Sequence, residues 1–126
     1  MKKTITRKLV IEALRKEPLR GGTFFYTTDQ DDEDIYTCEV CAIGAVLRRA
    51  LFVRDLARLK PSWHRVGRVA MDFRVAGKRY MRDISRKFES LVTNREYYVA
   101  TEEDREVMIA WVKKHFPEKF TLEINP

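Results

Sequence analysis

Apolar residues recur at helical spacing in three well-separated parts of this 126-residue chain. Residues 4–16 carry one apolar stripe, and residues 78–92 carry a second stripe opposite a row of basic side chains. A third stripe follows Thr101, where the letters TEED have the form of a capping box with acids at the positive end of the helix dipole. These segments predict three amphipathic helices, and we expect Pro18 and Pro117 to end the first and the last.

The segment CEVCAIGAVLRRAL, residues 38–51, has a different distribution of side chains. From Val40 to Leu47 it is apolar on every side of a helix, and such a helix is buried on every side. It is therefore predicted as the central helix, with Thr37 as its N-cap. Gly44 costs about 1 kcal/mol of helix propensity relative to alanine, so we expect a neighbouring backbone to approach closely there.

Two other segments have the composition of strands. TFFYTT at residues 23–28 predicts a short strand that pairs with IYT at 35–37, and FTLEI at 120–124 predicts a terminal strand. Residues 61–77 combine helical and strand-like features and are left open. The prediction is a mainly α fold: one small domain, residues 1–126, of four to five helices around a buried central helix, with a short β-hairpin or a terminal strand. A chain of this length buries roughly two-thirds of its unfolded surface, so it needs no metal or disulfide to fold.

Charge is distributed unevenly along the chain. The net charge is +6 and the sequence pI is about 9.5. Residues 45–88 contain 13 basic side chains against three acidic ones, so this segment carries +10 and the rest carries −4. Arginines outnumber lysines there by ten to three, and arginine favours bidentate contact with phosphate or carboxylate. A clustered positive field attracts nucleic-acid backbones or acidic protein surfaces.

The leading functional hypothesis is therefore a non-enzymatic protein that binds nucleic-acid backbone, or an acidic partner, through a basic surface. Trp63 and Tyr80 lie among the basic residues and are expected to stack on bases. The alternative is an ordinary solvated helix face. No sequence-recognition motif stands out, so contacts to backbone are expected. The predicted binding residues are Trp63 with seven basic residues, namely Arg48, Arg49, Arg54, Arg79, Arg82, Arg86 and Lys87.

The two cysteines, Cys38 and Cys41, admit three interpretations. A structural zinc site requires four ligands, and the second pair of ligands usually lies within a few residues. The remaining candidates, His64 and His115, are 51 residues apart. A redox pair at a helix start is chemically sensible, yet no βαβ pattern follows it. We favour the third interpretation, in which Cys41 is buried as a small hydrophobic residue. A small thiol or metal protein that uses both cysteines stays as a lesser alternative.

The acidic segment DQDDED, residues 29–34, resembles a calcium loop in composition alone. Counted from Asp29, the sixth position is Asp34 instead of glycine, and the twelfth is Val40 instead of glutamate. A solvated acidic turn is the favoured interpretation. The other is a segment that attracts a basic partner or masks the basic face of this same chain.

Several classes of protein find no support in the sequence. There is no Walker or Rossmann fingerprint and no serine in a nucleophile-elbow pattern, so we predict no catalytic residue, no cofactor and no metal. The longest apolar run has 8 residues, whereas a membrane-spanning helix needs ~20. Two cysteines do not make a secreted disulfide framework. A cytoplasmic protein with free thiols and no membrane partner is expected, and its oligomeric state is left open.

Three stretches resemble one protein family. CAIGAVLRRAL, residues 41–51, resembles the small uncharacterised bacterial and phage proteins that carry a C-A-[I/V/L]-G-A helix motif. GKRYMRDISRKFESL at residues 77–91 and IAWVKKHFP at 109–117 are similar to two later helices of that family. The resemblance covers about a third of the chain. It implies a shared helical core and a phage origin, but no activity, because the family has none assigned. It therefore adds one alternative: a phage-encoded accessory or inhibitor protein that binds a host protein or nucleoprotein in the host cytoplasm.

Overall fold

The computed structural model describes residues 3–26, 38–51 and 63–124, and it describes residues 63–67 by their backbone alone. Within these ranges the protein is mainly helical, a single small domain with a two-stranded antiparallel sheet, which confirms the predicted fold class. The described elements, in chain order, are β1 Lys3–Thr6, α1 Arg7–Lys16, α2 Ala42–Ala50, α3 Trp63–Ala76, α4 Lys78–Val92, a 3₁₀ helix Glu96–Tyr98, α5 Glu102–His115 and β2 Thr121–Ile124.

Helix α2 lies at the centre of the hydrophobic core, as predicted. Every residue from Ala42 to Arg48 is buried, and α1, α3 and α4 all pack against this helix. Gly44 is required by the packing, because a Cβ at this position would collide with the backbone carbonyl of Phe24. The expected close approach of a neighbouring backbone is thereby confirmed.

The start of α2 differs from the prediction. Cys41 is the N-cap, and its Sγ accepts a 3.5 Å hydrogen bond from the Gly44 amide. The prediction of Thr37 as the cap was wrong because the residues just before the helix are held by another segment of the chain. Val40 N donates to Pro18 O at 2.9 Å, and Val40 O accepts from Arg20 N at 2.8 Å. These bonds keep the backbone extended up to Cys41.

The described part of the predicted hairpin is limited. Phe25 forms an isolated antiparallel bridge with Val40, which lies within the segment predicted as helix and not in IYT. Residues 27–28 of TFFYTT, the acidic segment 29–34 and IYT at 35–37 lie outside the described residues.

The N-terminal helix is shorter than predicted, because residues 3–6 form a strand. This strand pairs antiparallel with β2, and Ile5, fully buried, lies opposite Leu122. The strand at the C-terminal end is confirmed. Helix α1 then begins at Arg7, where the Thr6 hydroxyl accepts a 3.2 Å hydrogen bond from the Leu9 amide. A β-branched Thr-Ile-Thr run fits a strand once a partner strand is present.

Helices α3 to α5 complete the domain. Residues 63–76, left open by the sequence, form a 14-residue helix, and α4 and α5 begin and end close to the predicted positions. The capping box of α5 is confirmed: the Thr101 hydroxyl accepts from Asp104 N, and Asp104 Oδ2 accepts from Thr101 N, both at 3.0 Å. No helix within the described ranges is long and apolar enough to cross a membrane.

Candidate nucleic-acid interface

Helix α4 presents a row of basic side chains on the side opposite the core. Its buried side is fixed by four apolar residues at helical spacing, and these place Arg79, Arg82 and Arg86 in solvent. Lys87 lies beside them and is half-buried. Arg86 follows Arg79 by seven positions, which corresponds to about 10 Å along the helix axis. We call these four residues the basic ridge.

A cleft opens at the junction between α3 and α4. Its volume is about 420 Å³, and its lining is Arg74, Val75, Lys78, Arg79 and Arg82. We call it the basic cleft. It shares Arg79 and Arg82 with the ridge, so the two form one continuous basic surface.

Sequence reasoning did not select Arg74 or Lys78 as binding residues. Both were counted among the basic residues of the segment, but residues 61–77 had no predicted element and therefore no predicted face. The helical spacing of Arg74 and Lys78 across Gly77 is the signal that was available. That spacing predicts a shared face only if α3 is known to continue to Ala76 and α4 to start at Lys78.

Few acidic groups oppose these cations. From Arg68 to Phe88 the chain carries seven basic residues and two acidic ones. Arg82 Nε lies 3.6 Å from Asp83 Oδ1, but both side chains are about half exposed, so this pair contributes little. None of the ion pairs among the described residues includes Arg74 or Lys78. The basic cleft therefore keeps most of its positive charge.

The cleft also contains strained and poorly compensated groups. Lys78 has a φ of 51°, a left-handed conformation that costs a non-glycine residue of the order of 1 kcal/mol. The glycine of this junction is at position 77 and not at the position with positive φ, because a Cβ at residue 77 would collide with Met81. Helix α4 starts without a side-chain cap and without an acid in its first turn, although cations there oppose the helix dipole. Arg74 Nε is buried and has no hydrogen-bond partner among the described residues.

Arg79 has a different environment from its neighbours. Its guanidinium lies over the Tyr80 ring, 5.3 Å from the centroid. A hydrogen bond to the side chain of Tyr80 raises the pKa of Arg79 above its usual value. The ring of Tyr80 itself packs against Phe116 and Phe120, with centroid distances of 5.2 Å to each. Tyr80 is therefore part of an aromatic cluster of the fold, and its stacking on bases stays a prediction.

Arg48 does not belong to this surface, which corrects the sequence prediction. Its side chain is only 6% exposed, and its Nε donates to Glu17 Oε1 at 2.8 Å. Its Nη1 donates to the backbone carbonyl of Cys38 at 2.7 Å. Arg48 lies on the last turn of the central helix, directly over the end of α1, so its guanidinium ties these two elements and the segment before α2 together.

The remaining predicted residues lie elsewhere or outside the described ranges. Arg49 is exposed on α2, and its Nη2 lies 3.8 Å from Glu12 Oε2. Arg54 lies outside the described residues, as does the side chain of Trp63, whose backbone begins α3. The structure therefore brings four of the eight predicted residues together on α4 and joins them to Arg74 and Lys78.

The cysteines occupy two different environments. Cys41 is buried, as predicted, and burial raises the pKa of its thiol to about 11. Cys38 is half-buried, and its Sγ lies 3.5 Å from Arg48 Nη1. Neither thiol forms a disulfide bond among the described residues. Within the part of the chain that the structure describes, no three histidine, cysteine, aspartate or glutamate side chains cluster in a way that could hold a metal ion.

Comparisons of the chain with protein-family models, with curated proteins and with solved structures found no match. The resemblance of residues 41–51 to the proteins with a C-A-[I/V/L]-G-A motif stays a prediction. The geometry and charge of α3 and α4 are therefore the basis on which a function is inferred.

Proposed function

We propose that the protein is a non-enzymatic binding protein that contacts the phosphate backbone of nucleic acid through the basic ridge and the basic cleft. One observation carries the proposal: cations from two helices converge on one cleft and continue along α4 with little acidic compensation. The proposed site of action is the cytoplasm, or the host cytoplasm if the chain is phage-encoded.

The spacing of the ridge supports contact with several phosphates. Arg79, Arg82 and Arg86 extend over about 10 Å on one side of a rigid helix. Arginine binds phosphate oxygens through two parallel N–H donors, and each neutralised phosphate releases counterions. Such contacts position a protein on nucleic acid without reading its sequence, in keeping with the lack of a recognition motif.

An ordinary solvated helix face is the alternative that the geometry disfavours. Cations of a solvated face gain from acids one turn away, and Asp83 is at that spacing from Arg79. Arg74 and Lys78, in contrast, have no acidic residue one turn away. Here Arg74 of α3 and Lys78 and Arg79 of α4 face one cleft, and Lys78 adopts a strained backbone within it. Strained residues persist where the surrounding structure holds them, and they concentrate at functional sites.

Fluorescence anisotropy of labelled DNA and RNA oligonucleotides, measured across a salt series, tests the proposal. We expect binding that weakens steeply with salt, with a slope of about −0.9 in log K per log[salt] for each duplex phosphate contacted. In the double variant Arg79→Glu and Arg86→Glu, we expect affinity to fall more than about tenfold at low salt and the slope to become shallower by about one per lost contact.

The matched control is the double variant Lys8→Glu and Lys119→Glu, which makes the same change in net charge at two exposed lysines outside α3 and α4. It should bind nearly as well as the unmodified protein. Circular dichroism and urea unfolding check that all variants fold. If both double variants lost the same affinity, the loss would be explained by net charge alone and the ridge would have no special role. Unchanged affinity in the ridge variant would overturn the proposal.

A second candidate is binding to an acidic protein surface, in the manner of an accessory or inhibitor protein. The observation in its favour is an exposed apolar pair on α3, one turn apart: Met71 is 44% exposed and Val75, at the edge of the basic cleft, is 69% exposed. Apolar residues flanked by arginine are typical of protein interfaces. Absence of any nucleic-acid binding at low salt, together with capture of a protein partner that Val75→Asp abolishes, would favour this function instead.

A further inference from the structure

We infer that the basic cleft binds the phosphorylated end of a nucleic-acid strand, as distinct from the backbone phosphates along the ridge. This inference rests on the proposed function and names the group that the cleft selects. The reason is the number of cations that meet at one place. Arg74, Lys78, Arg79 and Arg82 all line the same 420 Å³ cleft.

The charge of the cleft fits a phosphate monoester better than a diester. A backbone phosphate carries one negative charge, whereas a phosphate monoester carries about −1.5 to −2 at pH 7 and offers three acceptor oxygens. The ridge spreads three arginines along a helix, an arrangement suited to successive single charges. The cleft gathers four cations around one volume, an arrangement suited to one group of higher charge.

The donors in the cleft can surround a single phosphate from both helices. Arg74 approaches from α3, and Lys78 and Arg79 come from the first turn of α4. A buried donor without a partner destabilises a folded protein, and Arg74 Nε is such a donor among the described residues. Arg74 lines the cleft, so its guanidinium adds positive charge close to a phosphate bound there.

Two further features fit an anion at this position. Lys78 and Arg79 are in the first turn of α4, where the helix dipole favours a negative charge. No acidic side chain and no side-chain cap provides that charge in this turn. Val75 lines the same cleft and is 69% exposed, so it offers apolar surface for the sugar or base that bears the phosphate. The combination of cations and one apolar wall is that of a nucleotide end.

The test uses the full-length protein and three labelled oligonucleotides of one sequence: with a 5′-phosphate, with a 3′-phosphate and with neither. We expect one phosphorylated form to bind at least ~10-fold more tightly than the unphosphorylated form, a ratio equivalent to about 1.4 kcal/mol. Inorganic phosphate, added as competitor, should lower that affinity to the level of the unphosphorylated oligonucleotide. Sodium chloride at equal ionic strength is the control for screening.

Single variants separate the cleft from the ridge. Arg74→Gln and Lys78→Gln should each reduce the preference for the phosphorylated end to about twofold or less. Arg86→Gln, which changes the ridge outside the cleft, should weaken binding of all three oligonucleotides and leave the preference intact. Arg74 is half-buried, so its variant is checked by urea unfolding, and exposed Lys78 supplies the second variant.

The outcomes distinguish this inference from the proposed function. Salt-dependent binding with equal affinity for all three oligonucleotides would overturn the end-binding inference and leave backbone binding in place. No binding of any oligonucleotide would overturn both. If inorganic phosphate bound to the cleft while none of the three oligonucleotides bound, the cleft would be a site for a free anion, and both proposals would be overturned.

Discussion

Arg48 and Arg49 are neighbours on α2 with the same charge, yet they have different roles. Arg48 is buried and bonded to Glu17 and to the carbonyl of Cys38, whereas Arg49 is exposed and 3.8 Å from Glu12. Sequence analysis placed both on the binding surface because both belong to the basic segment. It could not separate them, since the partner of Arg48 lies 31 residues earlier in the chain. Whether an arginine is buried depends on which partner the fold brings to it, and the sequence around Arg48 does not show that partner.

Arg48→Ala is expected to lower the free energy of unfolding by about 3 kcal/mol. It leaves the carboxylate of Glu17, whose side chain is 14% exposed, without its cation, and removes the donor to Cys38 O. Arg49→Ala is the matched control and should change stability by no more than about 0.5 kcal/mol, because exposed pairs contribute little. Urea unfolding followed by circular dichroism measures both. Similar effects of the two substitutions would contradict the structural role of Arg48.

At the scale of single elements, the start of a helix could be predicted where the capping residues are close to one another in the sequence. The capping box of α5 lies within four consecutive residues, and it is present as predicted. The starts of α1 and α2 depend on remote segments. Thr6 lies opposite Thr121 in the sheet, which makes residues 3–6 a strand, and the loop after α1 holds Val40 extended. Periodicity alone cannot detect such constraints.

The box of α5 includes one carboxyl with a strongly displaced pKa. Asp104 is 2% exposed, and it accepts from Arg95 Nε at 2.9 Å and from Arg95 Nη2 at 2.8 Å. These hydrogen bonds lower the pKa of Asp104 from 3.8 to about 2, although burial opposes the change. Asp104 therefore couples the start of α5 to the loop after α4.

This displaced pKa predicts a dependence of stability on pH. Above pH 4 to 5 Asp104 is ionised in both folded and unfolded states, and its stabilisation, at most about 2 kcal/mol, is fully present. As the pH falls from about 4 towards 2, the unfolded state takes up the proton first, and the stabilisation is lost. The difference in unfolding free energy between the unmodified protein and Asp104→Asn should thus be constant above pH 5 and shrink towards pH 2. If this difference in unfolding free energy did not change between pH 5 and pH 2, the lowered pKa of Asp104 would be contradicted.

At the scale of the whole molecule, most described cations outside α3 and α4 that make polar contacts hold elements of the fold together. Arg48 binds Glu17, Arg95 binds Asp104, and Arg105 Nη1 donates at 2.7 Å to Leu14 O at the end of α1. The cations of the basic cleft make few such contacts. This contrast, more than the net charge of +6, is what supports a binding role for α3 and α4.

Part of this surface could be predicted from the sequence, and part could not. The residues of the ridge follow from the periodicity of α4, because Met81, Ile84 and Phe88 fix its buried side. The cleft depends on how α3 meets α4, and that junction is set by the tight packing of Gly77 on Met81 and by the left-handed backbone of Lys78. A glycine such as Gly77 is typical of a break between helices, but the residue with the strained backbone is Lys78 beside it.

That strain places stability and binding in opposition at Lys78. Glycine adopts a positive φ without the steric cost that lysine bears, although it loses more backbone entropy on folding. Lys78→Gly should therefore stabilise the protein by up to about 1 kcal/mol, and it should weaken binding of the preferred end-phosphorylated oligonucleotide by about tenfold, because a cation leaves the cleft.

Tyr97→Gly is the matched control for this trade-off. Tyr97 has a φ of 53°, is 70% exposed and does not line the basic cleft. It should give a similar gain in the midpoint of urea unfolding, while binding of the same oligonucleotide should stay unchanged. If Lys78→Gly stabilised the protein and kept full affinity, the strain at Lys78 would be real but unrelated to the cleft. If both glycine variants were less stable than the unmodified protein, the left-handed positions would not be strained, and the argument from strain to function at Lys78 would be lost.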